Sequence, residues 1–162
     1  MSSIRAELSG DTQELLERIK QMEGFDKAGV MNAIAEGLRT STMERFSQEQ
    51  SPDGEKWAPS IRAGSSGGKT LTQTAALKNS IRAKSDASSA AVGTNDIRAA
   101  THQFGDIRTI RAKNGKYLTF QVGGRWVRKT SVTVHIPARP FLGISQEDQE
   151  EIRDILEEAM KE

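Results

Sequence analysis

Between residues 107 and 136 the hydrophobic pattern repeats every second residue, whereas the segments on either side repeat with the spacing of a helix. Leu118, Phe120 and Val122 alternate with Tyr117, Thr119 and Gln121, and Val132, Val134 and Ile136 alternate with Ser131, Thr133 and His135. Alternation sends successive side chains to opposite faces of an extended chain, so these runs predict half-buried strands. Asn114-Gly115 and Gly123-Gly124 fall between such runs, where hairpin turns need positive φ. The expectation is a three-stranded antiparallel meander, ended by Pro137 and Pro140.

The flanks predict helices. Asp11 caps a first helix, with Glu14 placed as in a capping box, and Leu15, Leu16, Ile19 and Met22 form its stripe. Gly24 stops it. Asp26 caps a second helix that carries Val30, Ile34, Leu38 and Phe46 and runs to about Gln48. "SPDGEKWAP" (51–59) has the Pro-Asp-Gly chemistry of a turn, and residues 59–69 are a Gly/Ser-rich mobile loop. Residues 71–81 predict a short helix with Leu71, Ala75 and Leu77 inward, residues 90–93 a short strand, and Asn95 or Asp96 a cap for a helix through "HQFG" (102–105). Ser145 caps a last helix with the stripe Ile152, Ile155, Leu156 and Ala159. The fold class is therefore α+β: N-terminal helices, a small antiparallel β-sheet with a protruding hairpin, and a C-terminal helix. The 162 residues suffice for one domain with a real core. It divides into a helical part (10–50), a flexible loop (51–70), short helices and a strand (71–105), antiparallel hairpins (106–136) and the closing helix (145–161). With no cysteine there is no disulfide, thiolate nucleophile or cysteine-held zinc. The opening residues have no leader-like apolar run, and no stretch reaches the ~20 apolar residues of a membrane helix, so a soluble, intracellular protein is expected.

Catalytic chemistry finds little support. "AGSSGGKT" (63–70) satisfies the loose phosphate-loop pattern. A real phosphate loop joins a buried apolar strand to a helix, and "WAPSIR" before it is broken by Pro59 and too polar. None of the candidate strands ends in the acid that magnesium would need. His102 and His135 have no partner at metal-ligand spacing, and His102 beside Gln103 reads as a structural or interface histidine rather than a base. Gly143-Ile-Ser145 resembles half of a nucleophile elbow, but Glu147 stands where the second glycine belongs. No catalytic, cofactor or metal residue is expected.

Charge is more informative. From Asp106 to Lys129 there are seven bases, Arg108, Arg111, Lys113, Lys116, Arg125, Arg128 and Lys129, against one acid, a net of +6. From Gln146 to Glu162 there are eight acids against Arg153 and Lys161, a net of −6. Two solvated faces are the plain explanation. A basic hairpin meeting an acidic helix, in one chain or on the next copy around a ring, is the sharper one. A basic hairpin facing DNA is the other, helped by Tyr117, Phe120 and Trp126 among the bases.

The ordered motifs resemble one family. "SPDGEKWAP" (51–59), "LTQTAALKNSI" (71–81), "VGTN" with "AATHQFG" (92–105) and "IPARPFLGIS" (136–145) occur in the order found in the phage virion morphogenesis proteins, also called tail completion proteins, of contractile-tailed phages and Mu-like prophages. The hairpin at 113–132 resembles those of related tail and neck proteins. Ala75 stands where a Gly is common in the family, and Arg98 where an aromatic is usual. The resemblance implies a non-catalytic virion protein of the tail-neck region, assembled in the host cytoplasm. It would finish the tail and permit head joining as a ring of copies of itself, six-fold like the tail. Its implied partners are tail tube or sheath proteins and head-neck connectors, with a passing contact to packaged DNA and none to membrane. The candidate interface residues are Gln103, Arg108, Arg111, Lys113, Lys116, Arg125, Trp126, Arg128, Lys129 and Arg139. Within the "PARPFLG" turn, Arg139 and Phe141 are expected to anchor the last helix to the sheet. A DNA-binding accessory protein using residues 107–129 is the alternative, and a nucleotide-dependent assembly factor using Lys69 the third reading.

Overall fold

The structure, a computed structural model, describes Leu8 and residues 10–161. Residues 1–7, read above for a leader, and Glu162, counted in the acidic tail, lie outside them. The chain forms helices α1 (Asp11–Gln21) and α2 (Lys27–Gln48), and closes with α6 (Gln146–Ala159). Asp11 is the first residue of α1 rather than its cap. Gly10 holds the cap position at φ 61°, and no side chain bonds to the free amides. Met22 lies beyond the helix end and is exposed. Asp26 caps α2 as expected, its carboxylate accepting from the Gly29 amide at 2.9 Å. Ser145 and Asp148 form a reciprocal capping box at the start of α6.

These three helices pack on one another because their stripes converge. Ile19, Met31, Ile34, Ile152 and Leu156 are buried together, with Leu15, Leu16, Val30, Leu38 and Ile155 around them. A second cluster holds Phe46, Trp57, Leu77, Ile81 and Phe141. Phe46 meets Trp57 edge-on at 5.5 Å and Phe141 at 5.2 Å. Burying Phe141 completely contributes about 1.5–3 kcal/mol. Arg45, in the last turns of α2, reaches across to the start of α6. It donates to the Phe141 and Gly143 carbonyls at 2.9 Å each, and it pairs with buried Asp148.

The middle of the chain is more irregular than its pattern predicts. Within the Gly/Ser-rich loop a short helix, α3 (Ile61–Ser66), is capped by Ser60. The helix expected over 71–81 shrinks to α4 (Ala76–Asn79), because Leu71 and Ala75 both adopt positive φ, 61° and 54°. Strand β1 (Arg82–Ser85) follows; its pairing with β2 (Ala90–Gly93) gives a hairpin, of which only the second strand is predicted. Helix α5 (Ala99–Phe104) is entered through a turn in which Asp96 accepts from the Arg98 amide at 2.9 Å. Among the described residues no helix is long and apolar enough to cross a membrane.

The meander is not formed. Strand β3 (Asp106–Arg111) pairs with β6 (Ser131–Ile136), and β4 (Leu118–Val122) pairs with β5 (Arg125–Lys129) inside it. The outer ladder ends where the Ala112 amide donates to the Thr130 carbonyl at 3.0 Å, and the inner one resumes at Leu118 opposite Lys129. Residues 113–117 are left over on one strand, so Asn114-Gly115 lies in a bulge rather than a hairpin turn. Gly123-Gly124 does make the turn, at φ 57° and 80°, values that suit a type I′ hairpin. The result is one nested two-stranded arm of six and then five paired positions. At ~3.3 Å per residue it is roughly 40 Å long.

Candidate functional site

The arm contributes no residue to either buried cluster. Several of its large apolar side chains are exposed instead: Trp126 is 70% exposed, Ile107 69% and Val122 58%. An isolated two-stranded ribbon is at best marginally stable in water, and long edges invite pairing with another surface. Register sorts its side chains. Leu118, Phe120, Val122, Arg125, Val127 and Lys129 share one face of the inner ladder, while Thr119, Gln121, Trp126 and Arg128 share the other. Arg128 stacks over the Tyr117 ring at 4.7 Å, an arrangement that holds the guanidinium outward without neutralising it.

Of the seven arm bases, only Arg108 is spent locally. It pairs with Asp106 and donates to the Thr101 hydroxyl at 3.0 Å, which fixes the base of the arm to α5. Among the described residues, Arg111, Lys113, Lys116, Arg125, Arg128 and Lys129 have no carboxylate within ion-pair distance. The basic hairpin therefore does not meet the acidic helix within one chain; α6 packs on α1 and α2. Gly105 sets the arm's direction. At φ 74° it sits so close to the Ile136 carbonyl and the Ala138 amide that a Cβ would approach both to 2.9 Å.

Gln103 and Arg139 belong to the interior, not to the surface an interface uses. Gln103 accepts from the Phe141 and Leu142 amides at 3.1 and 3.0 Å and donates to the Leu142 carbonyl at 3.0 Å. Arg139 donates to the Ala58 and Pro59 carbonyls at 2.7 and 3.3 Å. Together with Phe141 it anchors the "PARPFLG" segment to α2 and the Trp57 turn rather than the last helix to the sheet. The Trp57 indole completes the junction by donating to the Pro140 carbonyl at 2.9 Å.

His102 lies beside this junction, half-buried, with its Nδ1 buried and unpartnered. Burial, reinforced by the nearby Arg139 and Arg98 guanidiniums, holds its pKa below the usual histidine value; Asp96 opposes this weakly. Asp96 is itself held at about 2, chiefly by the Arg98 side chain. His135 is exposed on the arm.

The lysine of "GGKT" has an internal task. Lys69 Nζ donates to the Ser47 carbonyl at 2.6 Å, and Lys56 Nζ to the Gln48 carbonyl at 2.7 Å. Both satisfy carbonyls left free at the end of α2, where cations also favour the helix dipole. Glu49, in left-handed conformation just beyond the helix, accepts from the Thr70 amide at 2.7 Å, and this bond lowers its pKa. The segment thus ties a loop to a helix end, and among the described residues no strand precedes it as a phosphate loop requires.

Sequence reasoning missed Arg45 and Asp148. Ser145-x-x-Asp148 carries the spacing of a capping box, so half of the pair had a signal. Arg45 on its helix had none. No curated protein and no solved structure matches the chain. A family model does match, over residues 10–161, and the chain belongs to the phage virion morphogenesis family.

Proposed function

We propose that this protein is a structural part of the phage virion that finishes the tail at its head-proximal end and permits head joining, acting as a ring of copies of itself. Membership of the virion morphogenesis family supports the assembly role. The observation that carries the finer reading is the arm: about 40 Å of two-stranded ribbon, basic, with exposed Trp126 and Val122 and no place in its own core. Such an element is stabilised by contacts outside the chain. The partners proposed are further copies, the tail tube or sheath, and the head-neck connector.

Electron microscopy of particles made without this chain tests the role. Filled heads beside unattached or length-aberrant tails are expected. Normal, joined virions would overturn it. The second reading, an arm that binds DNA, is favoured by the six unpaired bases; it requires salt-dependent binding to arbitrary duplex that is lost in Arg125→Glu/Arg128→Glu.

A further inference from the structure

A groove of about 810 Å³ opens between the C-terminal half of α2, the turn at residues 50–54 and the start of α6. Glu44, Asp53 and Glu147 stand on its walls with exposed side chains. The one base that lines it, Arg45, is buried and already held by Asp148. The groove therefore carries uncompensated negative charge. From Glu147 that charge continues along α6 through Glu151 and Asp154, spaced so that they follow one side of the helix. The same molecule carries the complementary element, an arm whose tip presents Arg125 on one face and Arg128 with Trp126 on the other.

We propose that the arm tip of one copy seats in the acid-walled groove of the next copy, with Arg125 and Arg128 opposite Glu44 and Glu147. This rests on the assembly reading above and names the contact that would build the ring. Arm and groove are different patches, so the association is head-to-tail, and it closes when the rotation between copies allows. The alternatives fit less well. DNA would match the arm's bases, but it leaves the acid-walled groove without a partner. A copy of the same chain satisfies both charge blocks at once, the +6 of the arm and the −6 of the C-terminal segment.

The test is a charge swap in the full chain, read by sedimentation equilibrium at low and high salt. Arg125→Glu/Arg128→Glu and Glu44→Lys/Glu147→Lys should each weaken self-association about tenfold or more, because like charges then face each other. The chain carrying all four changes should recover most of it. These side chains make no hydrogen bond or ion pair among the described residues; Arg128 stacks on Tyr117 and Glu147 lies in the first turn of α6, so thermal melts of the variants should fall only slightly below the parent; Glu44→Gln/Glu147→Gln replaces the lysine pair if it does not fold. A four-fold variant as weak as either pair overturns the inference, and so does self-association indifferent to the groove changes. Complementation separates this from the assembly reading. If particles require the chain but the groove variant supports them fully, the assembly role stands and the groove contact falls.

Discussion

Arg45 joins α2 to the start of α6 through three acceptors, the Phe141 and Gly143 carbonyls and the Asp148 carboxylate, and is steadied within α2 by the Ser41 hydroxyl at 3.1 Å. Removing one partner of a buried pair leaves a charge with no compensation. Arg45→Met is therefore expected to cost about 3–5 kcal/mol in urea unfolding. A loss below 1 kcal/mol would show that the pair does not hold α6. Ala75 poses the opposite case, a residue whose backbone is strained by its own Cβ at φ 54°. Ala75→Gly relieves that strain against a smaller entropic cost, and a gain of about 0.5–1 kcal/mol is expected from the same assay. For His102 the sign runs with burial. Its pKa is lowered in the folded state, so below about 6.5 the unfolded chain binds more protons than the folded one. Stability should be full above that pH and fall as pH drops through the depressed value. His102→Gln should flatten this limb of the melting temperature against pH, leaving the more acidic losses from Asp86 and Asp96, both held at about 2.

At the scale of elements, the legible parts were those with a long period and a cap. The second helix shows Asp26 and a stripe from Val30 to Phe46, and the last shows Ser145 with Ile152 and Leu156, so both are read almost to their ends. What defeated reading was backbone sign and pairing order. Positive φ at Leu71 and Ala75 carries no glycine to announce it, so a predicted eleven-residue helix (71–81) became Ala76–Asn79. Alternation at 118–122 and 131–136 identifies strands but not partners, and a bulge at 113–117 converts a meander into nested ladders. The candidate site was legible as composition, seven bases among few acids. Burial separated those residues, taking Gln103 and Arg139 inside while leaving six bases free. Because Asp106 and Ile136 are paired neighbours, the arm can be excised and replaced by a two-residue turn. The body should keep a cooperative thermal transition within a few degrees of the parent. Loss of that transition would mean the arm is part of the folding unit.

At the scale of the whole molecule, the chain joins a buried, hydrogen-bonded body to an arm that the body does not use. That division is what an assembly component needs, since the body can fold before the arm finds its contact. Native mass spectrometry of the full chain beside the arm-excised chain measures this most directly. The account predicts a discrete closed oligomer for the full chain and a folded monomer for the excised one. A full chain that stays monomeric at every concentration, or an oligomer unchanged by loss of the arm, would contradict it.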